Sequence, residues 1–185
     1  MVKVTIPRIE TERLILRAPQ LEDAEVFVRF LGTARAKHIG GPISRANAVR
    51  AFGHVAGLWV MRGYSSHVAT LKDSDRAIGM MGIWFPLDWP EPEFGWSIWD
   101  GADEGKGYVT EALRTLIPWT WEWTGLDTAI SVIDEDNAAS IRVAERLGAV
   151  LDDEATAAAN APGHRFHEED RARALIYRHH QGAWA

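Results

Sequence analysis

The sequence predicts a single α+β domain, a mixed α/β fold occupying residues 1–185, and three observations carry that reading. The chain has 185 residues, 46% hydrophobic and 25% charged, the mix of one ordinary globular domain. Segments with apolar residues on a helical period alternate with short runs that read as strands. Neither an internal repeat nor a linker of Pro, Gly and Ser divides them, which favours helices layered on one sheet.

Arg13–Arg17 (Arg-Leu-Ile-Leu-Arg) is short, apolar and flanked by charge, a strand that Pro19 ends. Leu21–Leu31 follows as a helix, with Leu21, Ala24, Val26, Phe27, Phe30 and Leu31 on one face. Gly40, Gly41 and Pro42 punctuate a turn. Ser44 is placed to cap a helix near Arg45–Met61, with Val49, Phe52, Val55, Ala56 and Trp59 as its apolar stripe. Ser65–Leu71 and Ala77–Phe85 read as two strands joined by a polar turn at Lys72–Asp75. Gly79 and Gly82 inside the second imply a bulge or a close approach. Pro86–Pro92 is irregular, and Glu93–Trp99 is the fourth strand.

Asp100–Gly107 is a glycine-rich loop that opens a helix over Tyr108–Trp123, with a kink expected at Pro118. Asp127–Ile133 is the fifth strand. Asn137–Leu147 is a helix with Asn137 at its start and Gly148 just past its end. Val150–Asp153 is a short strand, Glu154–Arg171 a loop with one helical turn, and Arg173–Arg178 the last strand.

Composition narrows the chemistry. There are no cysteines, so disulfides, thiolate metal sites and a cysteine nucleophile are excluded. The formal net charge is −6 with no block of Lys or Arg, which argues against a nucleic-acid partner. Met1–Glu10 lacks the apolar run of a signal peptide, and no apolar stretch approaches the ~20 residues of a membrane span. A soluble cytoplasmic protein is expected. His164, His167, His179 and His180 match no standard ligand spacing and are expected to face solvent, so no metal is expected. Nine tryptophans are core fillers for the most part. Trp84, Trp89, Trp96 and Trp99 lie close in sequence and could line a ligand pocket.

The loop before Tyr108 has a physical use. First-turn amides of a helix lack partners and sit at the positive end of its dipole, and glycines let the chain approach an anion, so the arrangement suits a pyrophosphate. A Walker A loop needs four residues between its glycines and a Ser or Thr after the Lys; here Gly107 follows Lys106. A dinucleotide fingerprint needs a third glycine where Thr110 stands.

The segment from Glu104, Gly105-Lys106-Gly107-Tyr108-Val109 and Thr110-Glu111-Ala112-Leu113, resembles the acetyl-CoA loop of the GNAT superfamily of N-acetyltransferases. Asn137-x-x-Ser140 followed by Arg146-Leu147-Gly148-Ala149 resembles a second block of that family. Glu12-Arg13-Leu14-Ile15-Leu16-Arg17 resembles the opening strand of its ribosomal-protein alanine acetyltransferase branch. The likeness runs from Thr11 to Val150 and resumes at Leu175–Tyr177.

The resemblance implies a twisted, mostly antiparallel sheet of about seven strands with flanking helices, splayed between the fourth and fifth strands. It implies acetyl-CoA as acyl donor, and as acceptor a primary amine on a protein N-terminus or a small molecule. A possible homodimer follows from it too. Without a cysteine, direct attack in a ternary complex is the default. Two positions depart from the pattern: Glu104 replaces Arg or Gln, and Val109 replaces a small residue. An exposed carboxylate there costs about 0.3–1 kcal/mol, less than several charge-assisted N–H bonds of roughly 1.5–3 kcal/mol each. Lys106 could supply a compensating cation.

By resemblance Glu93 is the candidate general base, Ser140 the proton donor to the departing thiolate, and Asn137 a contact for the pantetheine arm. The main chain of Trp96, Ser97 and Ile98 would position the thioester. The alternative is a domain that binds or senses acyl-CoA without efficient transfer.

Overall fold

The computed structural model describes residues 5–167 and 172–182. The N-terminal Met1–Val4, the 168–171 tail of the expected loop and residues 183–185 lie outside the described residues. Eight strands form one sheet: β1 (Ile9–Glu10), β2 (Leu14–Arg17), β3 (Ser66–Leu71), β4 (Ala77–Trp84), β5 (Glu93–Ile98), β6 (Thr128–Asp134), β7 (Val150–Leu151) and β8 (Ala174–His180). Their spatial order is β1-β2-β3-β4-β5-β6-β8-β7. Every neighbouring pair is antiparallel except β5 and β6. The turn at 72–75 makes a hairpin of β3 and β4. The connection from β5 to β6 instead passes through helix α3 (Tyr108–Thr124), a crossover that returns the chain in the same direction. The short β1 was not expected, so the fourth and fifth strands read from sequence are β5 and β6.

Helices α1 (Ala24–Leu31) and α2 (Arg45–Arg62) cover one face of the sheet. Phe27, Phe30 and Leu31 of α1 meet Phe52 and Val55 of α2 above Val68 and Met80 of the strands. On the other face α3 packs Leu113, Leu116, Ile117 and Trp121 against Leu14, Leu16, Ile78, Ile83 and Phe94. Three expected stripe positions are corrected: Leu21, Val26 and Val49 are 84%, 38% and 51% exposed. Leu21 sits in a 3-10 turn that precedes α1. The buried stripe of α2 is Ala48, Phe52, Val55, Leu58 and Trp59, which rotates Val49 by one residue off that face.

The expected cap holds, with Ser44 Oγ accepting the Asn47 N–H. The close approach read from Gly79 is present as well. A Cβ there would come within 2.2 Å of the Ser97 carbonyl, and the β3–β4 register shifts between Ala69 and Thr70. The helix α3 keeps its helical course on both sides of Pro118.

The segment after β7, expected as a loop with one helical turn, opens instead on a two-turn helix, α5 (Asp153–Ala159), and runs on in turns to residue 167. Asp152 caps it by accepting the Ala155 N–H at 2.9 Å, and its alanines are strong helix formers. The buried Thr156 hydroxyl accepts the Ile176 N–H at 2.9 Å and ties α5 to β8. Among the described residues no helix is long and apolar enough to cross a membrane.

A buried ion pair fixes the entry to α1. Asp23, 3% exposed, accepts both Arg17 guanidinium donors at 2.7 and 2.8 Å and the Gln20 N–H at 2.8 Å. Asp23→Ala strands the guanidinium and is expected to cost about 3–5 kcal/mol, read as a lower urea midpoint at unchanged slope.

Candidate active site

The strands β5 and β6 begin as a parallel pair and then part. Their ladder joins Glu93 to Ile130 and goes no further, with the Ile130 N–H on the Pro92 carbonyl at 2.8 Å. Strand alternation sets which main-chain groups face the gap. The Trp99 N–H donates to Ile78 on β4, so the main-chain groups of Phe94, Trp96 and Ile98 turn toward β6. The Phe94 carbonyl accepts the Ser131 hydroxyl at 2.7 Å, and the Ile98 carbonyl accepts Arg35 Nη2 at 3.4 Å. The Trp96 main chain lies between them, facing the opening. The gap widens into a cleft of about 1000 Å³.

A second hydrogen bond props the point of divergence. The Ser131 proton is committed to Phe94, so His179 Nε2, 3.0 Å away, donates to Ser131 Oγ and carries the ring proton. Burial keeps His179 neutral by pushing its pKa down to about 4. This corrects the solvent-facing histidine expected at 179, which is 1% exposed; His180 is exposed. Among the described residues, a convergent set of ligand-type atoms occurs elsewhere, on His38, Asp134 and Asp136, all within 4.8 Å. His38 Nδ1 lies 2.8 Å from Asp134, and Lys37 holds Asp136 at 3.1 Å.

The glycine-rich loop is anchored from below. Asp103, 2% exposed, accepts both Arg76 guanidinium donors at 2.7 and 2.9 Å, and the arginine beside it holds its carboxyl below the usual range. Gly105 and Gly107 adopt left-handed φ of 72° and 81°, where any other residue would be strained. Gly107 is the N-cap of α3 and offers no side chain, so the amides of Tyr108, Val109 and Thr110 open toward the cleft that these residues line.

Glu111, one turn in, accepts the Thr11 hydroxyl at 2.5 Å, the Arg13 N–H at 2.7 Å and Arg13 Nε at 2.6 Å. Burial works against that carboxylate, but these donors outweigh it and hold its pKa down. The two sequence blocks at 11–17 and 104–113 are thereby joined.

Glu93 stands where β5 and β6 part. Its Oε2 accepts the Trp89 indole N–H at 2.7 Å. Burial pushes the carboxyl up to about 7, against the opposing hydrogen bonds from Trp89 and the Val132 main chain. Across the gap, helix α4 (Ala138–Arg146) begins at Asn137, whose side chain accepts the Ser140 N–H at 3.2 Å. Ser140 Oγ in turn accepts the Trp96 indole N–H at 3.2 Å. That bond leaves the hydroxyl proton free to donate.

One cleft is thus lined by Glu93, Trp96, Ser97, Ile98, Glu104, Gly105, Gly107, Tyr108, Val109, Thr110, Asn137 and Ser140. Lys106 is outside that lining. Its ammonium turns to Asp103 at 3.4 Å and to the Tyr108 ring at 6.0 Å. The cation beside Glu104 is instead Arg35, at 2.5 Å, from a 3-10 turn over Ala34–Ile39 that the sequence pattern did not reveal. No spacing links residues 69 apart. Ser131 was also missed, although a polar residue among the inward positions of β6 was its signal.

The profile of the acetyltransferase (GNAT) domain family matches residues 13–150. An acetyltransferase crystal structure from Agrobacterium tumefaciens str. C58 is 30% identical, with a TM-score of 0.81 and 98% of each chain covered. Two others share the fold at lower identity. A putative ribosomal-protein-serine acetyltransferase from Vibrio cholerae has TM-score 0.69 at 21% identity, covering 95% of this chain and 98% of that one. The RimL ribosomal L7/L12 alpha-N-protein acetyltransferase in complex with coenzyme A has TM-score 0.72 at 17% identity, covering 96% and 99%. No curated protein matches the chain in sequence.

Proposed function

The chain belongs to the acetyltransferase (GNAT) domain family, and from that premise we propose that it moves an acetyl group from acetyl-CoA to a primary amine by direct attack in a ternary complex. One observation carries the reading: the uncapped N-terminus of α3, the parting of β5 and β6 and the Glu93 carboxyl share one cleft.

The amides of Tyr108, Val109 and Thr110, with the helix dipole behind them, hold the diphosphate. Gly105 leaves room for it, since a Cβ there would meet nothing within 4 Å beyond its chain neighbours. Arg35 supplies the cation that the motif lacks at position 104, and the ion pair cancels the charge of Glu104. The main chain of Trp96, Ser97 and Ile98 and the side chain of Asn137 position the pantetheine arm in the gap. The Trp96 N–H meets the thioester oxygen where negative charge develops.

Glu93 takes a proton from the acceptor, and the neutral amine nitrogen forms its bond to the acyl carbon as the C–S bond breaks. Ser140 hands its proton to the departing thiolate, whose thiol has a pKa near 8.5, and takes in its place the second proton of the nitrogen, which is left as the neutral amide. A cytoplasmic setting and a homodimer complete the reading; sedimentation velocity checks the second.

A thiol-release assay over amines, run with acetyl-CoA, tests transfer itself; binding without release would leave an acyl-CoA-binding domain. Ser140→Ala at saturating acetyl-CoA is expected to lower kcat at least tenfold, within the range of general acid catalysis; equal turnover would reduce Ser140 to a helix-start residue. Arg35→Ala is expected to raise the acetyl-CoA Kd about tenfold, the equivalent of one charge-assisted hydrogen bond. The double change Arg35→Ala with Glu104→Arg, which returns the cation to the loop, is expected to recover most of it in calorimetry.

A further inference from the structure

The acceptor side of the cleft has a composition of its own. The paired residues Trp84 and Glu93, Gly82 and Gly95, and Met80 and Ser97 of β4 and β5 share the face covered by α1 and α2. Between Trp84 and Ser97 that floor is bare. A Cβ at Gly95 would meet no heavy atom within 4 Å beyond its chain neighbours. The walls are aromatic and apolar. Trp84 and Trp89 meet edge to face at 6.3 Å, and Trp89 meets Phe166 at 5.2 Å. Val55 and Phe27 from the helices line the same cleft. The Trp89 ring cannot swing away freely, because its N–H is bonded to Glu93. Behind it, Arg165 stacks on the Trp89 face at 4.1 Å and pairs with Asp88 at 3.2 Å.

From this arrangement we infer that the acceptor is a small monoamine carried on an aromatic or similarly flat apolar body, an arylalkylamine in chemical class. The inference rests on the acetyl transfer proposed above. The bare floor at Gly95 and the edges of Trp84 and Trp89 accept a ring, which sets the amine beside the Glu93 carboxylate. A second positive charge on the acceptor body would be buried among these rings with no carboxylate to pair with, so polyamines fit poorly. A peptide N-terminus brings main-chain N–H and C=O groups that these rings leave unpaired.

The test compares initial rates of thiol release for 2-phenylethylamine, spermidine and an alanine-initiated peptide with the full chain and saturating acetyl-CoA. Burial of one ring corresponds to about a ten- to hundredfold gain, so kcat/KM for 2-phenylethylamine is expected to exceed both others at least tenfold. Gly95→Val places two methyls on the floor. It is expected to raise the KM for 2-phenylethylamine tenfold or more while the calorimetric Kd for acetyl-CoA stays within twofold. Preference for the peptide or for spermidine overturns the inference and leaves acetyl transfer standing. An unchanged KM in a folded Gly95→Val protein overturns it too. No release with any of the three, at a normal acetyl-CoA affinity, defeats the acetyl-transfer reading itself.

Discussion

Glu93→Gln lowers the acetylation rate at least tenfold and leaves the acetyl-CoA Kd within twofold of the parent. The reason lies in where the carboxyl sits. Burial at the parting of β5 and β6 raises its pKa to about 7, close to the working pH where a base is most effective. A glutamine keeps the volume and can still accept the Trp89 indole N–H, but it takes no proton.

The pH profile follows with a definite sign. The base acts only when ionised, so the parent's kcat/KM falls as pH drops through about 7, and the variant loses that inflection. Trp89 donates to the carboxylate and so favours its charged form. Trp89→Phe therefore moves the inflection upward. Rates that stay at the parent level in Glu93→Gln across pH 6–8 would remove Glu93 from the chemistry.

Gly107→Val raises the acetyl-CoA Kd about a hundredfold. At φ 81° a left-handed L-residue costs roughly 1–2 kcal/mol, and a β-branched one more. The loop relieves that strain by turning the amides of Tyr108 and Val109 off their aim. Losing one or two charge-assisted bonds of about 1.5–3 kcal/mol each accounts for the expected loss. The effect should fall on binding: with acetyl-CoA at saturation, kcat stays within a few-fold, and calorimetry measures the Kd. A Kd unchanged in a folded variant would mean that the helix mouth does not hold the diphosphate.

Local patterns read well from the sequence because the residues that make them are neighbours. Ser44 and Asn137 were placed as caps, and both side chains accept the amide three residues on, a bond that depends on one turn of chain. The bare N-cap at Gly107 was legible for the same reason. What stayed hidden was made by distance. Arg35 meets Glu104 from a turn 69 residues earlier, Thr11 and Arg13 meet Glu111, and His179 reaches Ser131 from a neighbouring strand. No periodicity carries such pairings.

The exposure of Val49 shows how narrow the margin is within one helix, where a single residue step turns a side chain by about 100°. The capped helix α5 could have been read from Asp152 and the alanines after it. The Pro-Gly pair at 162–163 lies in the turns that follow it.

A crystal structure of the protein soaked with coenzyme A tests the central claim most directly. The diphosphate is expected at hydrogen-bond distance, about 2.7–3.2 Å, from the amides of Val109 and Thr110, with the pantetheine arm between β5 and β6 and the sulfur within reach of the Ser140 hydroxyl. A coenzyme bound with its diphosphate away from the start of α3, or its arm outside that gap, would contradict it.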